Sequence, residues 1–408
     1  MKQQRNYPIV TVTDKGAAFL KVGHVWVYEQ EAVGVIGAPA NGAIVDVLTQ
    51  KGRYLGTGFY NSQSKIRVRI LSRNANDTFD KAFFARRLQY AFDYRKTVMG
   101  GDFGCCRLIF GEADGFPGLT VDRFGDVLVT QTMSLGIEQR KDVIFPLMVK
   151  LLAEMGAPVT AIYERNDIAL REKEGMTEST GFYRCDGLRD DLDGKLILQE
   201  NGIDYEVDYI HGQKTGFFLD QKYNRLAAAK LAKGRTVLDC FTHTGAFALN
   251  CAKAGASRVT AVDVSKDAIA LTEANAKRNG LSNVDVLCAD VFELLTELYN
   301  NGDRTYDYII LDPPAFTKSS STVKAAARGY KEINLKAMKL LPRGGYLATC
   351  SCSHFMTDEL FRKMLFDAAK DAGVQLRQIE NRRQSPDHPI LWGVPETEYL
   401  KFYLFQVV

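Results

Sequence analysis

Apolar positions change their period along the chain, and each change marks a different kind of element. Through the first 75 residues they run in short alternating stretches, Val25–Tyr28, Ala43–Leu48, Tyr54–Tyr60 and Ile66–Leu71, separated by glycine-containing turns. That pattern predicts a small all-β module. From Thr78 to Val98 the spacing turns helical, with Phe79, Phe83, Leu88, Phe92 and Val98 as core positions. Residues 100–205 read as α+β: GEADGFPGLTVDRFGDVLVTQT predicts a turn-rich meander, followed by a helix near Gln139–Met155 and further strands. Beyond Arg235 strand and helix alternate. Strands are expected at Thr236–Cys240, Arg258–Val264, Val284–Asp290, Tyr306–Leu311 and Gly345–Ser351, with helices at Ser265–Asn279 and Lys324–Leu341 between them. Such alternation predicts a parallel sheet covered on both faces. A terminal pair, Val374–Ile379 and Tyr399–Val407, adds a hairpin, so the expected fold is a doubly wound sheet with an antiparallel edge.

Composition narrows the class without deciding it. The chain has 408 residues, 46% of them hydrophobic and 25% charged, with a net charge of +3. A chain of this length is expected to divide into two or three domains. No apolar run reaches the roughly 18 residues needed to span a bilayer, and the opening MKQQRNYPIV lacks the pattern of a secretory signal. The eight cysteines form no CxxC pair, so neither a metal site nor a disulfide framework is expected. A reducing cytoplasm fits these features. Charge is informative only locally: in KIRVRILSR, the alternation of Lys65, Arg67 and Arg69, with Arg73 just beyond, gathers cations on one strand face. That face is either merely solvated or a contact for nucleic-acid phosphates.

Chemistry concentrates where the C-terminal strands end, which is where open α/β sheets bind ligands. The first strand runs into VLDCFTHTGAFAL, bringing Asp239, Thr242, Thr244 and Gly245 to the start of a helix. The turn lacks the GxGxxG spacing of a dinucleotide fold. Asp263 ends the second strand, where a carboxylate suits a ribose diol, and Asp290 ends the third, placed to accept from an adenine amine. Each of these acids is also a good helix cap. In YDYIILDPPAF, Asp312 ends a buried run; Pro313 and Pro314 stiffen the turn that follows, so that a flat base can lie against Phe316. The fifth strand delivers two thiols, Cys350 and Cys352, on one face. A thiolate here can add to C6 of a pyrimidine and make C5 nucleophilic. Inert core packing is the competing reading.

The strings GQKTGFFLDQKYNR, VLDCFTHTGAF, LDPPAF, GYKEINLKAMKLLPRGG, SCSH and the DHP of QSPDHP, in this order and spacing, resemble the RlmI/RlmO-type family of bacterial 23S ribosomal RNA cytosine-5 methyltransferases over essentially the whole chain. The resemblance implies a β-barrel-like PUA RNA-binding domain over residues 1–75 and a central α+β domain over 76–205. It implies a Rossmann-like class I methyltransferase domain with a seven-stranded mixed sheet over 206–408, using S-adenosylmethionine. It implies Cys352 as nucleophile and Asp312 at the cytosine edge. Asp239, Thr244, Gly245, Asp263, Asp290 and Asp312 would then line the cofactor, with Asp220, Asn224 and Arg225 of LDQKYNR closing over it. Pro313, Pro314 and Phe316 would meet the base, and Lys65 and Arg67 the RNA. The string RLIFGEADGFPGLTVDRFGD is also similar to the family, but its Arg107, Glu112, Asp114 and Asp122 carry no evident chemistry. The partner implied is 23S ribosomal RNA, with a homodimer through an exposed central strand as a further expectation.

One departure stands out. Many RNA cytosine-5 methyltransferases carry a second cysteine directly after the proline of the fourth motif, and this chain has Ala315 there. Product release must then use another base or water, with His354 and His388 as candidates. Two other readings stay open: methylation of an exocyclic nitrogen or guanine, in which Cys352 only packs, and an RNA-binding ribosome-assembly factor without turnover.

Overall fold

The computed structural model describes residues 5–408, so the opening MKQQ of the segment read for a signal lies outside the described residues. The chain forms two compact units. The first comprises residues up to Leu196 together with Val207–Leu219 and Pro386–Thr397; the second comprises Ile197–Glu206, Asp220–Ser385 and Glu398–Val408. Each unit is thus assembled from segments that are discontinuous in the chain.

In the first unit β1 (Ile9–Val12), β2 (Trp26–Tyr28), β3 (Ala32–Ile36), β4 (Ile44–Thr49), β5 (Tyr54–Tyr60) and β6 (Ile66–Ser72) form a sheet of order β2-β6-β5-β4-β1-β3. Val10, Val12, Val27, Val45, Val47 and Val68 close its core. The module is not all-β, because α1 (Asp14–Lys21) follows β1. The Thr13 side chain caps it by accepting from the Gly16 N–H at 3.1 Å, and only Gly16, Ala17 and Leu20 are buried. Eight residues with so little apolar surface leave no helical period to read. The long helix α2 (Lys81–Met99) follows, capped by Asp80 and burying Phe83, Leu88 and Phe92.

A second sheet of the same unit has the order β11-β10-β9-β8-β7. Its strands are β7 (Cys105–Phe110), β8 (Leu119–Phe124), β9 (Val127–Thr132), β10 (Ala161–Asn166) and β11 (Ser179–Phe182), with α3 (Leu135–Glu138) and α4 (Lys141–Glu154) between β9 and β10. β9 and β10 run parallel, as expected where helices carry the crossover. A hairpin, β12 (Lys195–Glu200) and β13 (Ile203–Asp208), leads onward.

The second unit holds the mixed sheet expected from the alternating pattern. After α5 (Lys222–Ala229) come β14 (Thr236–Cys240), α6 (Ala246–Lys253), β15 (Arg258–Asp263), α7 (Lys266–Arg278), β16 (Val284–Cys288), α8 (Val291–Asn300) and β17 (Tyr308–Leu311). Then follow α9 (Val323–Leu340), β18 (Tyr346–Ser351), α10 (Asp358–Ala372), β19 (Leu376–Arg382) and β20 (Lys401–Val407). The seven strands lie in the order β16-β15-β14-β17-β18-β20-β19. Strand order reverses beside β14, so the carboxyl ends of β14, β15 and β17 define the crevice where such sheets take ligands. β20 enters antiparallel to β18, pairing Lys401 with Ser351. Among the described residues no helix is long and apolar enough to cross a membrane.

Candidate active site

The loop from β14 to α6 is built under conformational constraint. Phe241, His243 and Gly245 have φ of 65°, 53° and 82°. A side chain at Gly245 would also place Cβ 2.6 Å from Thr272 Cγ2, so glycine is required there. Asp239, fully buried at the end of β14, accepts on Oδ2 from the Thr242 hydroxyl at 2.5 Å and the Ala248 N–H at 2.9 Å. Its Oδ1 and the Thr244 hydroxyl are buried without a hydrogen-bond partner among the described residues. Burial, with the charges of Asp312 and Asp263 adding to it, pushes the Asp239 carboxyl up to about 7. Asp263, half-buried at the next strand end, accepts from the His243 and Ser265 N–H groups, both at 3.0 Å. Buried polar atoms rarely stay unpaired. Two such atoms beside a main chain held open at φ > 0, with a carboxylate at the neighbouring strand end, fit a bound nucleoside cofactor.

Asp290, the third strand-end acid, also caps a helix. Its Oδ1 caps α8, accepting from Phe292 N–H at 2.8 Å and Glu293 N–H at 3.1 Å, and the residue is exposed. Asp220 accepts from the Tyr399 hydroxyl at 2.6 Å. The Asn224 amide donates to Gln221 Oε1 at 2.7 Å and accepts from Arg382 at 3.1 Å, and buried Arg225 pairs with Glu200 at 2.6 Å. Much of the hydrogen-bonding capacity of Asn224 and Arg225 thus holds the scaffold behind the crevice.

The DPP turn and the thiols meet at the ends of β17 and β18. Asp312 Oδ1 accepts from Gln221 Nε2 at 2.9 Å, and burial together with Asp220 pushes its carboxyl up to about 6. The Cys350 thiol neighbours Asp312, but it is sealed in the core with Ala348, Phe402 and Leu404, and burial holds it well above the usual thiol range. Cys352 lies just beyond β18, half-exposed, with Sγ 3.9 Å from the Pro313 carbonyl oxygen. The two thiols therefore differ in access although they alternate along one strand. Pro313 is buried, Pro314 exposed, and the Phe316 ring packs on Tyr330 at 4.5 Å.

Several neighbours escaped the sequence reading. Gln221 sits inside LDQKYNR, and its amide orients Asp312. The Tyr330 hydroxyl bonds Ser353 Oγ at 2.9 Å. Lys401, only 3% exposed, donates to the carbonyls of Ser353 and Tyr399, both at 2.7 Å. Burial pulls its ammonium down to about 8, and Cys352 is the strongest of the charges opposing that fall. Asp358 and Glu398 near it are held by Arg383, at 3.3 and 2.6 Å. The signal available was a lysine inside the otherwise apolar run KFYLF. Of the histidines considered for product release, His354 is exposed, while His388 is buried in the first unit against Asp387 at 2.9 Å. Lys65 is exposed, and Arg67 is paired with Glu29 at 2.8 Å.

The chain matches the family model of the PUA-like domain over residues 10–73 and that of the S-adenosylmethionine-dependent methyltransferase over residues 156–405. It is 42% identical over 383 residues to the Ribosomal RNA large subunit methyltransferase I of Aeromonas hydrophila, covering 93% of this chain and 94% of that one. To the protein of the same name from Escherichia coli it is 38% identical over 389 residues, covering 94% and 96%. A solved structure described as a SAM-dependent methyltransferase from Streptococcus mutans shares the fold, with a TM-score of 0.82 at 23% identity over 98% of this chain and 100% of that one.

Proposed function

Because the chain belongs to the ribosomal RNA large subunit methyltransferase I family, we propose that it methylates C5 of a cytosine in large-subunit ribosomal RNA through a covalent Cys352 adduct. The cofactor is S-adenosylmethionine, which supplies, when bound, the electrophilic methyl group that C5 accepts. Asp239, Thr244, Gly245 and Asp263 are the residues that would hold it.

The protein's own part begins with the Cys352 thiolate, whose electron pair forms the S–C6 bond while the C5=C6 π pair makes C5 nucleophilic. Lys401, buried beside Ser353, favours the thiolate over the thiol by its charge. Asp312, oriented by Gln221, meets the polar edge of the base. After C5 is methylated, its proton leaves to a base, the C5=C6 bond re-forms and the C6–S bond breaks, returning the thiolate. With Ala315 in place of a second cysteine, water or a nearby side chain takes that proton.

The observation that carries this reading is the difference between the thiols: Cys352 stands half-exposed 3.9 Å from the DPP turn, and Cys350 is sealed. The test is mass spectrometry of ribosomal RNA nucleosides from strains carrying Cys352→Ala or Cys350→Ala. Loss of one 5-methylcytidine in the first alone supports it. Persistence of that mark with loss of a methylated purine would move the assignment to nitrogen methylation.

By the same reading, residues 1–75 capture RNA, 76–205 connect, and 206–408 catalyse. A cytoplasmic location is supported by eight free cysteines. Homodimerisation would use the edge strand β11, whose Ser179 and Thr180 are exposed.

A further inference from the structure

The segments GEADGF and DHP resemble the family yet take no part in the chemistry at Cys352; in the structure both fall on the walls of one cavity of the first unit. The cavity, of about 450 Å³, runs between the end of β6, the outer face of α2, the turn at 112–115 and the segment at 389–391. Its acids are spent. Glu112 accepts from the Trp26 indole at 2.9 Å and from Arg69 at 3.0 Å. Asp114 clasps fully buried Arg95 at 2.5 and 2.8 Å, and Arg95 in turn donates to the Asp387 carbonyl at 2.9 Å. These pairs hold the walls in place and leave little negative charge free.

Its cations are not spent. Arg73 donates only to the His24 carbonyl, at 2.8 Å, and Arg87 to the Leu71 carbonyl, at 3.3 Å. Neither has a carboxylate within ion-pair distance among the described residues. Beside them α2 presents Tyr90 and Tyr94, 62% and 38% exposed, on the same helical face as Arg87. Trp392, next to the lining residue Leu391, is 97% exposed. An indole is seldom left so far in water, and this one directly follows a residue of the cavity wall. By contrast, the strand face marked by sequence is largely neutralised: Arg67 pairs with Glu29, and Arg69 with Glu112 and Glu174.

We propose that this groove binds a single-stranded segment of the RNA substrate, with Arg73 and Arg87 on its phosphates and Tyr90, Tyr94 and Trp392 stacking its bases. The chemistry is that of single-strand recognition, in which cations follow the backbone and aromatic rings accept any base face. Unpaired cations lining a concave surface select a polyanion, and flat rings beside them select one that carries bases. The proposal rests on the ribosomal RNA reading above and adds where that RNA is gripped.

The test uses the full chain and a fluorescein-labelled 12-nucleotide single-stranded RNA, with affinity measured by anisotropy across a salt series. Arg73→Gln with Arg87→Gln is expected to weaken binding about tenfold and to reduce the slope of log K against log salt by about 1.4, two single-strand phosphate contacts. Tyr90→Ala with Tyr94→Ala is expected to weaken it about 30-fold or more, the loss of two stacked bases. In the wild type, 4-thiouridine in the probe should crosslink to peptides carrying Tyr90, Tyr94 or Trp392, a readout that needs no variant to fold. Methylation of large-subunit ribosomal RNA by the wild type tests the earlier reading separately, and the groove variants should raise KM for that RNA with kcat held. Crosslinks mapping elsewhere, or variants that bind and turn over as the wild type does, would overturn the groove proposal alone and leave the groove to a protein partner.

Discussion

The crevice beside β14 and the groove beside α2 both hold polar groups with bonding capacity left over, but of different chemistry and in opposite surroundings. In the crevice the unpaired atoms are oxygens, Asp239 Oδ1 and the Thr244 hydroxyl, sealed from water. In the groove they are guanidinium groups, Arg73 and Arg87, in contact with solvent. A buried unpaired oxygen costs about 1–3 kcal/mol, more when charged, so the crevice should be sensitive to protonation and to one well-fitted ligand. A partly buried cation that still meets solvent answers to salt and to any anion that reaches it, so the groove should be sensitive to ionic strength and tolerant of sequence. One region is tuned for identity, the other for capture.

The comparison breaks hardest at the thiol. Cys352→Ala should lower methylation by about 10⁴-fold or more, as loss of a covalent nucleophile does, while Cys350→Ala should keep most of it; single-turnover assays on unmodified ribosomal RNA read both. Next in size, Asp239→Asn should weaken S-adenosylmethionine binding about 10- to 100-fold by calorimetry, because a charged acceptor is lost from a buried position.

The same carboxyl sets a pH dependence. Its folded-state value near 7 lies above that of an unfolded aspartate, about 3.9. Stability contributed by the bound proton is therefore complete below about pH 4 and is lost as pH rises through about 7. Cofactor-free wild type should lose stability over that window, and Asp239→Asn should flatten the slope in denaturant titrations.

A smaller effect is expected at Lys401. Replacing it by Met should slow alkylation of Cys352 by iodoacetamide at neutral pH, because a cation favouring the thiolate is lost, whereas Lys401→Arg should restore part of the rate. An unchanged alkylation profile would reduce Lys401 to a strand anchor. Smallest of all, Arg67→Gln should change RNA-probe affinity by less than about twofold, since its guanidinium already has Glu29. A larger loss there than at Arg73 and Arg87 would invert the comparison and return RNA capture to the strand face.

How much of this was legible in the sequence follows from how local each feature is. β14 falls on Thr236–Cys240 as its apolar run predicts, because a strand buried on both faces writes its own boundaries. Asp239, Gly245 and Asp312 were legible as strand ends followed by constrained turns. Asp290 shows the limit of that rule: its Oδ1 caps α8, and an aspartate between strand and helix reads the same whether or not its second oxygen also meets a ligand. Cys350 and Cys352 alternate identically in sequence, and only the packing of Phe402 and Leu404 over the first separates them. Lys401 becomes meaningful through its register with Ser351, a pairing of strands far apart in the chain. Glu112 and Asp114 likewise find Arg69 and Arg95 only in three dimensions.

The most direct measurement is covalent trapping: wild-type protein with its cofactor is incubated with large-subunit ribosomal RNA containing 5-fluorocytosine, digested, and the adducted peptide sequenced by mass spectrometry. Fluorine cannot leave C5 as a proton does, so the enzyme should remain bonded to the RNA. A nucleotide attached to Cys352, absent in Cys352→Ala, is the expected result. Active enzyme that leaves no adduct, or an adduct on Cys350, would contradict the account.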